Sequence, residues 1–239
     1  MSLLRSLFFT TPLIVISTIV LGTLSLIDSL FDRTGNGQHV LARLWGRSLL
    51  AAGLIRVRVE GVEKLDPHDT YVFVSNHQSL MDIPAILSAL PHQFRFFAKK
   101  GLYKVPFVGT HLRHAGHLPV DRSSARASLK SMTEGAHIIS KRQISVLLFP
   151  EGGRAPEGLR DFKEGAAYIA IKAGVPVVPI AIVGMREKLP MGSVHVRSGK
   201  VAVRIADPIP TTGMHLSARL ELTQQLYREI EQMLERPVA

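Results

Sequence analysis

Residues 71–90 read YVFVSNHQSLMDIPAILSAL, and the fold is decided there. Tyr71–Ser75 is a short uncharged run of residues that favour extended backbone, as a buried strand should be. Ile83, Ile86, Leu87 and Leu90 then recur at helical spacing. A strand, a polar loop and a helix in twenty residues form the repeating unit of an α/β sheet. Outward from this unit the same alternation continues. Ile55–Glu60 alternates apolar and charged residues like a half-exposed strand, and Phe94–Ala98, Leu118–Val120 and Ser145–Phe149 read as further strands. Helical spacing marks Gly101–Val105, Ser124–Lys141, Phe162–Ala173 and Ser217–Arg236. Val175–Val183 is apolar and β-branched, but Pro176 and Pro179 assign it to an edge or an irregular strand. Val194–Arg197 and Val201–Ile205 read as a hairpin around Ser198–Gly199. The expected fold class is α/β, a mixed sheet flanked by helices over residues 55–239. Residues 1–54 precede it as an N-terminal membrane-associating helical segment.

That segment rests on one uncharged run. From Ser6 to Ile27 the chain carries no charge, and 22 residues give roughly 33 Å of helix, enough to cross a hydrocarbon core. The run is longer than the apolar part of a signal peptide and no A-x-A pattern follows it, so attachment is favoured over cleavage. Pro12, Gly22 and several hydroxyl residues also allow a bent, half-inserted helix. Val40–Leu54, with Arg43, Trp45 and Arg47, is amphipathic and basic, suited to lie at the interface.

Composition narrows the function. The chain has 239 residues, 46% hydrophobic and 20% charged, which excludes intrinsic disorder. Zero cysteines exclude a disulfide scaffold, a thiolate metal site and a cysteine nucleophile. The net charge is +10, and residues 91–130 hold eight Lys/Arg against Asp121 alone. So concentrated an excess calls for an anion. Nucleic acid is disfavoured, because the neighbouring aromatics fall where strand and helix core is expected.

The chemistry sits in the polar loop. His77 and Asp82 are one helical turn apart beyond a strand's carboxyl end, where open α/β sheets bind ligands. A carboxylate there can fix the histidine tautomer and leave the other ring nitrogen as a base. No G-x-S-x-G elbow accompanies it, so His77 activating a substrate hydroxyl is simpler than an acyl-enzyme; Ser79 is the alternative nucleophile. A second cluster, Phe149-Pro150-Glu151-Gly152-Gly153-Arg154, ends another strand, with two glycines for close approach and a guanidinium fork for phosphate. Lys99-Lys100 and Gly116–Arg122 lie at strand ends between them. His111, His114 and His117 are expected on a partly exposed helix or phosphate rim, and no metal site is assigned.

Asn76-His77-x4-Asp82 resembles the first sequence block of the glycerolipid phosphate acyltransferases. Gly116–Arg122 is similar to the second block, Phe149–Arg154 to the third and Val175–Ile180 to the fourth. Residues 98–109 and 162–166 resemble the bacterial 1-acylglycerol-3-phosphate acyltransferases in particular. The likeness spans about residues 70–185; Gly153 departs from it where the family often has Thr or Ser, and Pro119 where it often has an aromatic or aliphatic residue. It implies transfer of an acyl group from acyl-CoA or acyl carrier protein to the sn-2 hydroxyl of lysophosphatidic acid. His77 would be the general base and Asp82 its partner. Glu151, Gly152, Gly153 and Arg154 would bind the acceptor phosphate, with Lys100 and Arg122 as further contacts. No cofactor and no nucleic acid are implied, and the expected place is the cytoplasmic membrane, site towards the cytoplasm. Alternatives are an acyltransferase for glycerol 3-phosphate or a lyso-aminolipid, or a basic peripheral membrane protein without catalysis.

Overall fold

The structure, a computed structural model, describes residues 2–155 and 157–238. Its first helix is continuous through α1 (Ser2–Arg5), a π-helical turn (Ser6–Thr10) and α2 (Thr11–Asp28), and α3 (Asn36–Gly53) packs back along it. The chain continues through β1 (Ile55–Glu60), β2 (Val72–Ser75), α4 (Asp82–Ala89), β3 (Phe94–Lys99), α5 (Val108–His114) and β4 (Leu118–Val120). Next come α6 (Ala125–Arg142), β5 (Ser145–Leu148), α7 (Gly165–Ala173), β6 (Val177–Val183), α8 (Met185–Lys188), β7 (Gly199–Ile205) and α9 (Arg219–Glu235). Short 3-10 turns occupy Val62–Lys64, Lys100–Lys104 and Leu216–Ala218.

Seven strands form one sheet in the order β1-β7-β6-β2-β5-β3-β4. Neighbours from β6 to β4 are parallel, and β7 pairs antiparallel with β6 but parallel with β1. Both faces of the central strands are covered, which explains their unbroken apolar runs. Phe73, Leu147, Ile180 and Ile182 pack on the face under α3 and α4, whereas Val72, Val74, Val146 and Val177 pack under α6, α7 and α9. Helix α4 begins where Pro84 is tolerated, in the first turn, and ends before Pro91.

Two expectations fail, each for a long-range reason. Val177–Val183 is an interior strand, between β7 and β2, and not an edge. The Pro179 carbonyl accepts from Ala206 N–H at 3.0 Å, so its nitrogen faces the side where β7 has ended at Ile205. The ladder to β2, on the other side of β6, therefore does not depend on a donor from Pro179. Val194–Arg197 forms no hairpin with β7, because its backbone is engaged elsewhere. Val194 and Val196 carbonyls accept from Ser6 Oγ (3.2 Å) and Arg5 (3.0 Å), and Val196 N–H donates to Ser6 Oγ at 2.8 Å.

The first two long helices are fastened by hydroxyls. Thr10 donates to the Ala52 carbonyl at 3.0 Å, the Trp45 indole donates to Thr18 at 2.9 Å, and Ser17 bonds Ser48. At the other end Ser25 Oγ and His111 Nδ1 are hydrogen-bonded at 2.9 Å. The remaining side of α2 is exposed and apolar, including Ile16, Val20, Leu24 and Ile27.

Candidate active site

The carboxyl ends of β2, β5 and β4 place the three polar blocks side by side. Asn76, just beyond β2, anchors the first: its amide donates to the Ile182 carbonyl (3.0 Å) and accepts from Ile182 N–H (2.8 Å). Three donors converge on Asp82 Oδ2, namely Gln78 N–H and Ser79 N–H at 2.7 Å each and His77 Nδ1 at 2.9 Å. The carboxylate opens α4, where the helix dipole favours negative charge. With Nδ1–H given to Asp82, the lone pair of His77 lies on Nε2, which has no hydrogen-bond partner among the described residues. The ring lies nearly flat on Phe149, centroids 4.1 Å apart and planes at 17°. Ser79 is not available as a nucleophile: it is fully buried and its hydroxyl donates to the Leu189 carbonyl at 2.8 Å.

Glu151 is turned inward. Its two oxygens accept from His77 N–H (2.7 Å) and Arg160 N–H (3.1 Å), so it braces the His77 backbone from behind. Burial raises its carboxyl pKa, against the pull of those two backbone bonds. Gly152 takes φ +77°, and a Cβ there would stand 2.9 Å from Lys163 Nζ. The positive φ favours glycine, whereas the mobile end of Lys163 could give way. The Gly152 carbonyl accepts from Arg122.

His77 opens on a cavity of about 1430 Å³. Arg122, Gly152, Gly153, Arg154 and Lys163 form its polar part. The side chains of Arg154 and Lys163 have no hydrogen-bond or ion-pair partner among the described residues, so their donors are available to an anion. Beyond them the walls turn apolar, with Ile19 and Leu26 of α2, Trp45 of α3, Phe96 of β3 and Leu102. Lys100 does not join this group. It donates to Asp121 at 2.8 Å, which raises the ammonium pKa and holds the Asp121 carboxyl far below its usual range. Lys99 lines the cavity instead.

The histidine group falls differently from expectation. His111 and His117, centroids 5.7 Å apart, belong to the cavity wall, while His114 is exposed. His117 Nδ1 accepts from Phe96 N–H at 3.0 Å, and His39 Nε2 from Phe94 N–H at 3.4 Å. Burial, reinforced by nearby Arg95, pushes His39 down to about 3 and His117 well below its ordinary value. Arg95 is buried as well and lowered to about 10 by that burial. Its guanidinium is held by the Thr34 carbonyl (3.1 Å) and Asn36 Oδ1 (3.0 Å). Sequence spacing could not find this inner cluster, because its members come from α3, β3 and the turn before β4. Lys163 had one signal, its place in the 162–166 stretch.

The Acyltransferase family model matches residues 56–183, more than half of the chain. The chain belongs to this acyltransferase family. Among its relatives, a chloroplastic 1-acyl-sn-glycerol-3-phosphate acyltransferase of Brassica napus is 38% identical over 184 residues, covering 75% of this chain and 53% of the relative. The human 1-acyl-sn-glycerol-3-phosphate acyltransferase alpha is 34% identical over 161 residues, covering 67% and 57%. The chain thus spans about half the length of the curated relatives it matches. The crystal structure of the 1-acyl-sn-glycerophosphate acyltransferase PlsC from Thermotoga maritima superposes with TM-score 0.82 at 27% identity, each chain covered completely.

Proposed function

We propose that this chain transfers a fatty acyl group from a thioester to the sn-2 hydroxyl of lysophosphatidic acid, forming phosphatidic acid. The observation that carries the reading is the His77–Asp82 pair, 2.9 Å apart, opening beside Arg122, Arg154 and Lys163 on a largely apolar cavity. His77 Nε2 accepts the proton of the acceptor hydroxyl as its oxygen attacks the thioester carbonyl. Collapse of the tetrahedral adduct breaks the C–S bond, and the imidazolium returns the proton to the departing sulfur. The products are an ester and a thiol, with His77 restored. Asp82 holds the tautomer throughout and stabilises the transient imidazolium.

Arg154 and Lys163 bind the acceptor phosphate, with Arg122 and the Gly152–Gly153 backbone beside them. Glu151 acts through His77 and Arg160, since a carboxylate that accepts two backbone bonds has little to offer a phosphate. The apolar walls receive an acyl chain. The thioester is acyl-CoA or acyl carrier protein, and the site faces the cytoplasm, where those donors are found.

The helix Ser2–Asp28 is long and apolar enough to cross a membrane. Its two ends nevertheless bond the same α/β domain, Arg5 and Ser6 at Val194–Val196 and Ser25 at His111. A helix so tied cannot put its ends on opposite sides of a bilayer. We read it as lying within one leaflet, exposed face outward, with α3 behind it.

An acceptor panel tests the assignment. With one acyl-CoA, lysophosphatidic acid should outcompete glycerol 3-phosphate and neutral lysolipids, and His77→Ala should lose roughly 10²–10⁴-fold in turnover. Preference for either competitor would reassign the acceptor. Wild-type turnover in His77→Ala would remove the base.

A further inference from the structure

Between β3 and α5 the chain displays apolar side chains to water at a cost in strain. Leu102, Val105 and Val108 are exposed, and Phe107 is 76% exposed. Phe107 also has φ +60° and ψ −55°, closed by Val108 N–H donating to the Pro106 carbonyl at 2.7 Å. That is a γ-turn of the strained hand, which a phenylalanine rarely adopts. A mostly exposed phenyl ring on a strained turn combines two unfavourable terms.

The surroundings indicate what compensates. One helical turn further on, His111 bonds Ser25 of α2, so the segment adjoins the end of the exposed apolar row on α2. Leu30 and Phe31, the latter 82% exposed, extend that row past the helix. Lys99, Lys100, Lys104 and Arg113 are exposed around the segment, with Asp121 as the carboxylate bonded to Lys100. Apolar tips set among cations match the boundary between hydrocarbon and anionic headgroups. Leu102, Phe107 and Val108 also line the cavity.

We propose that residues 100–108 form a second membrane contact, with Phe107 inserted below the headgroups of an anionic leaflet beside α2. The cavity rim then sits in the bilayer interface. This rests on the reading of α2 as a leaflet-bound helix, and two measurements separate the two claims.

The chain has no cysteine, so Phe107→Cys gives a single site for an environment-sensitive fluorophore in the full chain. Gln232→Cys on α9, across the sheet, is the reference. On phosphatidylglycerol/phosphatidylcholine vesicles, the label at 107 should shift to the blue and be quenched by lipids brominated along their acyl chains. The label at 232 should do neither. A chain that binds vesicles while the label at 107 stays in water overturns this proposal alone. A chain that binds no vesicles overturns the reading of α2 as well.

Phe107→Gly provides the second arm. Glycine takes the positive φ without strain, so without lipid this variant should melt no lower than the parent. Its vesicle affinity should fall about tenfold, because the buried ring is lost. A merely structural role for Phe107 would lower the melting temperature, and unchanged affinity would overturn the contact.

Discussion

The loop that holds His77 and the outer face of α2 obey opposite rules. Around His77 the polar groups are engaged one by one: Asp82 Oδ2 by three donors, Glu151 by two, Asn76 by both edges of Ile182. On α2 the outer side chains are large, apolar and about half exposed. One region owes its shape to internal contacts, and the other is shaped for contact with something outside. His77 lines the same cavity as other residues of α2, Leu26 among them. On the proposed function, the braced side is the one that would move protons and the exposed side the one that would meet lipid.

Substitutions in the braced region should be costly, and the largest effect is expected at Asp82. In Asp82→Asn the amide oxygen can still accept from Gln78 and Ser79 N–H, but the carboxylate charge that stabilises the imidazolium is lost. Turnover should fall on the order of 10³-fold with little change in acceptor KM. Full activity would mean that this charge is not needed. Arg154→Ala comes next: losing a partly buried guanidinium–phosphate contact should raise acceptor KM roughly 10- to 100-fold while kcat changes less. An unchanged KM would take Arg154 out of the phosphate site.

The smallest effect is one of pH. His39 and His117 are neutral in the fold, depressed mainly by burial, and free to protonate when unfolded, where a histidine titrates near 6.5. The unfolded chain binds more protons below that value. Their contribution is thus complete above about pH 6.5 and is lost as pH falls towards 3, by up to about 1.4 kcal/mol per unit for each histidine. Urea midpoints at pH 7, 6 and 5 should fall accordingly. In His39→Gln, which keeps an acceptor for Phe94 N–H, the decline should be shallower; an equal slope would contradict the assignment.

Local sequence carried the strand–loop–helix units, the His77–Asp82 spacing and the Gly152–Arg154 turn, because each is written within a few neighbouring residues. It missed what depends on a distant partner. Pro179 reads as an edge signal until Ala206 is seen on its open side, and Val194–Arg197 reads as a strand until Arg5 and Ser6 occupy its backbone. Lys100 reads as a phosphate contact and Lys163 does not, until Lys100 is seen bonded to Asp121 and Lys163 in the cavity wall. The γ-turn at Phe107 leaves no sequence mark, since nothing in V-P-F-V demands a positive φ.

The brace at Asn76 also sets an order of events. Its partner Ile182 lies 106 residues later in the chain, and Glu151 lies 74 residues after His77. During synthesis at about 5–20 residues per second, the base emerges roughly 5–20 s before the residue that locks its loop. The nascent chain carries His77 and Asp82 long before it can hold them in place, so the pair, translated early, is fixed late.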